Sequence, residues 1–373
     1  MFSNLRSWLI PAFFVPILMA VFPSYSNVKI QHNEPSSINI SEIANSQTWK
    51  TLIHFYNGKL RITDERFILS NNTSNVFSLE NELKLTIELF KQPNNDGLCR
   101  FPARNLFLSA NGILDKATPE DYKKCKKFYN YKIKVPFDKL KLVYASEVLS
   151  SASSMMGHVF LKAEGINNND NFVNHSISFF TQYDSFNPFK LVYDGLYGGM
   201  EGFFIVRKYE KDLKNYLIQE QRNVFEYEIN YDGFSKKLIK FHIWELKDID
   251  IGYLFQSYNC ATLTQNILSL GNEKLNDNLS LFITPKDVVK SMYNAKNIGE
   301  QKVNLSHKWK IAFLEQELGS EIVDSVITEL NTTQNFHDLL LNIPLSKREL
   351  VIEYLESILL RNSTDTVKKS LED

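Results

Sequence analysis

The sequence predicts an α+β fold in which an antiparallel sheet packs on a helix that begins at Cys260, with helical additions before and after that core. Three observations carry this reading. Leu263, Ile267 and Leu270 fall at i, i+4 and i+7 after Cys260, and Gly271 follows as a stop signal, so Cys260 opens a helix of about three turns. From His158 the pattern alternates, with His158, Phe160 and Lys162 on one side and Val159, Leu161 and Ala163 on the other; a polar turn from Gly165 to Asp170 then leads to a second strand, Val173 to Phe180. Beyond about residue 280 the apolar spacing becomes helical, and the region 27–130 also reads as helical.

Four regions follow: 1–26, a secretory signal or N-terminal anchor; 27–130, a helical region; 131–280, the core; and 281–373, a C-terminal helical region. Arg6 precedes an apolar run from Trp8 to Phe22 that is short for a spanning helix and contains Pro11 and Pro16. Ser24 and Ser26 suit a cut before Asn27, and the alternative is an uncleaved anchor. Either way the body of the protein is exported. The formal net charge of −1 gives no reason to expect nucleic acid. The chain has no phosphate-cradling loop, no dinucleotide-binding glycine fingerprint and no Cys-x-x-Cys pair, so no metal or cofactor is expected. In an oxidising compartment two of the three cysteines can pair. Cys99 and Cys125 are near in sequence and Cys260 is far from both, so a Cys99–Cys125 disulfide is the simplest arithmetic, although spacing does not fix connectivity.

In chain order, residues 27 to about 40 read as a polar linker. Trp49, Leu52, Ile53 and Tyr56 share a helical face that ends at Asn57-Gly58, and His54 on that helix reads as structural. Ser78 caps a helix carrying Leu79, Leu83 and Ile87. Residues 131–145 read as extended, with a strand from Leu140 to Ser146, and a serine-rich loop covers Ser150 to Ser154. The aromatic, glycine-rich stretch from Phe179 to Val206 is either a mobile apolar wall for an acyl chain or, the favoured reading, folded core with turns. Arg222 opens a further strand, paired with a carboxylate or simply exposed. His242 sits in a helix and reads as a packing residue. Ser346 to Glu349 form a capping box, and Thr364 to Asp373 a frayed tail.

The chemistry centres on Cys260. A helix N-terminus offers unpaired N–H groups and a positive dipole end, both of which favour a thiolate. His158 is the candidate base and His175, on the neighbouring strand, the residue that orients it. Asn259, Ser154, Gly157 and Arg222 are the supporting candidates. The alternative is that Cys260 is an ordinary buried cysteine. The order His, His, Cys is the reverse of ordinary papain-like enzymes and is what a circularly permuted papain-like core would show.

The spacing His158…His175…Asn259-Cys260 resembles the permuted papain-like group that includes lecithin:retinol acyltransferase. More closely, the chain resembles the bacterial Lnb periplasmic domain family. The matching pieces are Trp49 to Phe55, Cys99 to Arg104, Ser153 to Leu161, His175 to Phe179, Gly195 to Gly199, Arg222 to Tyr227 and Asn259-Cys260, in order over residues 45–270. Ser151 to Ser154 stand where the family often has a proline. The resemblance implies a periplasmic lipoprotein N-acyltransferase at the membrane surface. Its partners would be phospholipid acyl donors and lipoproteins, with Cys260 as nucleophile, His158 as base and His175 orienting it. Two other readings remain open: a cysteine peptidase or amidase acting on peptidoglycan peptides, and a non-catalytic exported binding module.

Overall fold

The computed structural model describes residues 39–372 apart from 73–76, 93–95, 149–155, 182–189, 191–192, 256, 277–281 and 333–335. The expected signal or anchor, most of the linker, and the serine loop with Ser154 lie outside the described residues. No helix among the described residues is long and apolar enough to cross a membrane.

The N-terminal region is helical. Helices α1 (Ile40–Asn45) and α2 (Gln47–Leu52) precede a small hairpin, β1 (Phe55–Tyr56) and β2 (Lys59–Leu60). The helix expected to run to Tyr56 stops at Leu52, because His54 turns to φ 55° and carries the chain into β1. Helix α3 (Leu79–Lys91) is capped by Ser78 as expected. Then come α4 (Gly97–Arg100), α5 (Pro102–Ala110), α6 (Pro119–Lys124) and α7 (Lys126–Lys134). Cys99 and Cys125 form a disulfide. Helix α7 occupies positions read as extended from residue 131; Tyr131 packs near Trp244 and Phe128 and donates to the Lys240 carbonyl at 3.0 Å, which holds the helix in place.

Seven antiparallel strands form the central sheet. They are β3 (Lys139–Ala145), β4 (His158–Ile166), β5 (Phe172–Thr181), β6 (Met200–Lys208), β7 (Val224–Ile229), β8 (Ile251–Tyr253) and β9 (Ile298–Asn304), in the order β8-β6-β5-β4-β3-β7-β9. Strand β9 lies past the boundary drawn at residue 280. It reads poorly as a strand because its side chains are mostly exposed and show no buried alternation. Helix α8 (Tyr209–Lys214) runs into a wide helical turn, Asn215–Gln219. Helix α9 (Gly233–Glu245) precedes β8, α10 (Cys260–Ser269) follows it, and α11 (Pro285–Asn294) precedes β9.

Alternation along β4 divides two cores. Val159, Leu161, Ala163, Ile177 and Phe179 join the main core, which includes Ala261, Leu263 and Ile267 of α10. The opposite face sends Val143, Ala145, Phe160 and Val224 under Tyr209 and Tyr216. In the aromatic stretch Phe179 is core and Phe204 packs on it, whereas Tyr193 and Tyr197 are exposed. The C-terminal helices α12 (His307–Leu318), α13 (Ser320–Asn331), α14 (Phe336–Asn342) and α15 (Leu345–Glu372) close a separate apolar core. Helix α15 already begins at Leu345, so Ser346 is not its cap, and the expected frayed tail is helical to Glu372.

A buried polar chain joins the N-terminal helices to α10. Asn266 Nδ2 donates to His54 Nδ1 at 2.9 Å, and the Tyr258 hydroxyl lies 2.7 Å from the same nitrogen. With Nδ1 accepting, the ring proton sits on Nε2 and is donated to His242 Nε2 at 2.9 Å. His242 Nδ1 then faces Glu245 Oε2 at 3.3 Å, while Glu245 Oε1 accepts the N–H groups of Ala103 and Arg104 at 2.7 and 2.9 Å, at the open N-terminus of α5. Arg104, fully buried, bonds Glu82 at 3.2 Å and the Phe67 carbonyl at 2.8 Å. Burial, His242 and Arg104 hold His54 well below the usual imidazole range, so it is neutral. His54 is structural, as read from sequence, and His242 is a hydrogen-bonded link as well as a packing residue.

Candidate active site

The α10 N-terminus is built by Asn259. Its Oδ1 accepts the N–H groups of Ala261 and Thr262 at 2.9 and 3.0 Å, while Thr262 Oγ1 accepts the Asn259 N–H at 2.7 Å, a reciprocal cap. Asn259 Nδ2 ties this corner to the carbonyls of Phe255 and Ile283 at 2.9 and 3.2 Å. Cys260 is therefore the first residue of a fixed helix, as the apolar spacing predicted. It is a free cysteine, 8% exposed.

Burial pushes the Cys260 thiol up to about 11; the N–H groups of Val159 and Ala261 and the charge of Arg222 oppose that push. Val159 follows His158 directly. The β4–β5 ladder ends at Leu161–Ile177, so residues 158–160 are not paired with β5, and the N–H of Val159 is within reach of the sulfur. The Thr264 hydroxyl, one turn further along α10, lies 3.5 Å from the Val159 carbonyl.

His158 occupies the first position of β4, on the side of the sheet that carries Phe160. Its ring stacks on Phe160 and Phe180, with centroids 5.5 and 5.1 Å apart, and Tyr216 lies 6.4 Å away. Burial first, then Arg222 and Arg207, push the imidazole down to about 3, so it is neutral at pH 7. Its Nε2 is shielded from solvent and has no hydrogen-bond partner among the described residues. Gly157, with φ 83°, sets the approach: a Cβ there would stand 2.8 Å from the Tyr144 ring and 2.9 Å from the Ala145 carbonyl. Arg222 is buried. It donates to the carbonyls of Ser146 and Ala145 at 2.6 and 2.9 Å, pairs with Glu220 at 2.8 Å and lies over Tyr216.

His175 does not join this group. It pairs across β4 with Ala163, five residues past His158, roughly 17 Å along the strand. Five is odd, so the two rings point to opposite faces of the sheet. The charges that act on His175 are those of Glu210, Lys208 and Lys240. The expectation that adjacent strands bring the two histidines together is corrected by the register. Ser154 lies outside the described residues.

Sequence reading missed Tyr253. Its phenol is buried and held in the neutral form by that burial and by Cys260, whose backbone N–H reaches the phenol oxygen. Its strand, β8, is three residues long and gave no periodicity by which to single it out.

Comparison with known families now bears on this arrangement. Residues 127–295 match the Lnb N-terminal periplasmic domain. Those residues are an Lnb-type domain. The match covers β3 to α11 and contains Gly157, His158, Arg222, Tyr253 and Cys260. The family is described as a periplasmic domain, which makes the chain a cell-envelope protein. Residues 41–111 match a second family, a domain of unknown function (DUF7843), which spans α1 to α5 and therefore His54, Glu82 and Arg104. No curated protein and no solved structure matches the chain.

Proposed function

We propose that the chain is a cell-envelope thiol acyltransferase that works through a Cys260 acyl-enzyme. The observation that supports this most is local: a free cysteine at a capped helix start lies against the N–H of the residue following His158, whose Nε2 has no partner among the described residues. In the tautomer that carries its proton on Nδ1, the His158 Nε2 offers the vacant lone pair that a thiol proton needs.

In the first half-reaction His158 Nε2 takes the Cys260 proton and the sulfur attacks the ester carbonyl of a phospholipid donor. The C–S bond forms, the C–O bond breaks, and the imidazolium returns its proton to the departing alcohol. In the second, the α-amino group of a lipoprotein attacks the thioester, the C–N bond forms, the C–S bond breaks, and the amine proton passes through His158 to the sulfur. Asn259 already engages the N–H groups of Ala261 and Thr262 and the Cys260 N–H faces the Tyr253 oxygen, so the oxyanion would be met by the Val159 N–H and the Tyr253 hydroxyl. Arg222 acts from a distance by favouring the thiolate. His175 has no part in this scheme. Acyl donor and acceptor follow from the resemblance described above.

The test is mass spectrometry of lipoprotein N-terminal peptides from cells carrying Cys260→Ala. Loss of N-acylation with the protein still folded is expected; unchanged N-acylation removes the proposal. Purified protein exposed to phospholipid should gain the mass of one acyl group, released by hydroxylamine.

A further inference from the structure

We infer that the end of the sheet beside Cys260 is a docking surface and that its partner is a phospholipid bilayer. The strand register gathers one set of loops there. Ala145 pairs with His158 and with Val224, and Val224 pairs with Asn304, so β3 and β9 end where β4 and β7 begin. On the other side of β4, β5 ends at Thr181, opposite Gly202 near the start of β6, and Met200 pairs with Tyr253 at the end of β8. The segments at this end carry large apolar side chains into water. Tyr193 and Tyr197 stand at the turn before β6, Tyr197 being 75% exposed, and the Gly195 carbonyl between them accepts the Phe255 N–H at 2.8 Å, on the way to Cys260. Met156 is exposed just before His158. Trp309, 59% exposed, and Phe313 lie on α12, which follows β9. The N–H groups of Ser306 and Lys308 donate to the side chains of Asn223 and Gln221, both at 2.8 Å, and hold the start of α12 against the segment that carries Arg222.

Spread and chemistry point to lipid. The tyrosines stand by β6 and β8, Met156 by β4 and Trp309 by β9, so the three places span the sheet from edge to edge, roughly 29 Å, with His158 on the middle strand. A flat partner reaches all three at once, whereas a peptide or a small ligand fills a single groove. Tyrosine and tryptophan are the side chains that favour the headgroup layer, because each joins an apolar ring to a polar tip. Helix α12 buries Ile311, Leu314 and Leu318 in the C-terminal core, yet shows Trp309 and Phe313, one turn apart, to water; it is apolar on two sides and its own core uses only one. Lys308, exposed beside Trp309, suits phosphate headgroups, and the carboxylates of Glu147, Asp194 and Glu220 at this end are each paired with a cation. Docking would bring the thiol to the layer in which a phospholipid presents its ester carbonyl, a purpose that rests on the acyltransferase reading. At the opposite end Ile166 and Phe172 are exposed as one cross-strand pair, which supplies the control.

Tryptophan fluorescence of the full chain tests this, with vesicles of phosphatidylcholine and phosphatidylglycerol whose acyl chains do or do not carry bromine near the ester. Trp49 is buried and Trp244 half-buried, and Trp8 is common to every variant, so comparison between variants isolates Trp309. Bromine should quench the wild-type emission. Trp309→Leu removes the reporter and should be quenched less. The double variant Tyr193→Ser, Tyr197→Ser keeps the reporter, lifts one edge of the surface and should also be quenched less. Phe172→Ser, at the opposite end, should be quenched like wild type. The surface is refuted if bromine leaves wild type unquenched, if either variant at the Cys260 end is quenched like wild type, or if Phe172→Ser loses as much as they do. A lipid-free dimer that Phe313→Ser abolishes would seat a second copy there and overturn the bilayer. The readout contains no acyl transfer, so loss of docking and loss of N-acylation are separate results.

Discussion

Cys260 rests as a neutral thiol and His158 as a neutral imidazole, and each has a measurable consequence. Because burial raises the thiol, its thiolate fraction at pH 7 is small and grows about tenfold per pH unit until pH approaches 11. Iodoacetamide labelling of unreduced protein, followed by mass, should therefore be slow at pH 7 and still climbing at pH 9. A plateau below pH 8 would mean that the thiol is already activated. For His158 the folded value lies below the unfolded one, so the neutral form stabilises the fold above pH 6.5 and that contribution is lost as pH falls toward about 3. His158→Phe keeps a ring against Phe160 and Phe180 and removes the titration. Its urea midpoint should fall less between pH 7 and pH 4.5 than that of wild type; equal slopes would refute the assignment. Both residues were legible in the sequence, Cys260 from helical spacing and His158 from strand alternation. The partnership with His175 was not, because facing is decided by cross-strand register, and a five-residue offset reverses it.

Elements were legible where periodicity was strong. Strands β3, β4, β5 and β7 and helices α3, α9 and α10 fall where apolar spacing put them. The misses share a cause: tertiary contacts outvote a weak local pattern. Helix α7 is held by aromatic packing on Trp244, α2 is cut short by the positive φ of His54, and β9 pairs with β7 through its backbone while its side chains face water. The link into β4 makes the sharpest demand at this scale. Gly157→Ala introduces a Cβ at positive φ between the Tyr144 ring and the Ala145 carbonyl. A loss of about 1–3 kcal/mol in chemical denaturation is expected, together with a larger fall in Cys260-dependent activity than the stability loss accounts for. Wild-type stability in this variant would show that the backbone there has another way to pass.

Across the molecule, the segments matching two families are joined through the interior. Glu245, within the matched Lnb segment, receives the N–H groups that open α5; Tyr258 and Asn266, also within it, turn inward to His54. The disulfide adds a covalent tie at the same border, Cys99 inside one matched segment and Cys125 between the two. The composition and motifs pointed to a single catalytic core with additions. They did not announce this interior seam, since a histidine on an apolar helix face looks alike whether it packs or bonds.

That seam has a practical corollary for anyone cutting the gene. An expression fragment trimmed to residues 127–295 would lose the partners of Glu245, His242 and Asn266 and bring into water the apolar surface that the N-terminal helices cover. Such a fragment should come out insoluble or molten, while one starting near residue 39 should give sharp, dispersed amide resonances. A well-folded 127–295 fragment would show that the two halves are separable after all.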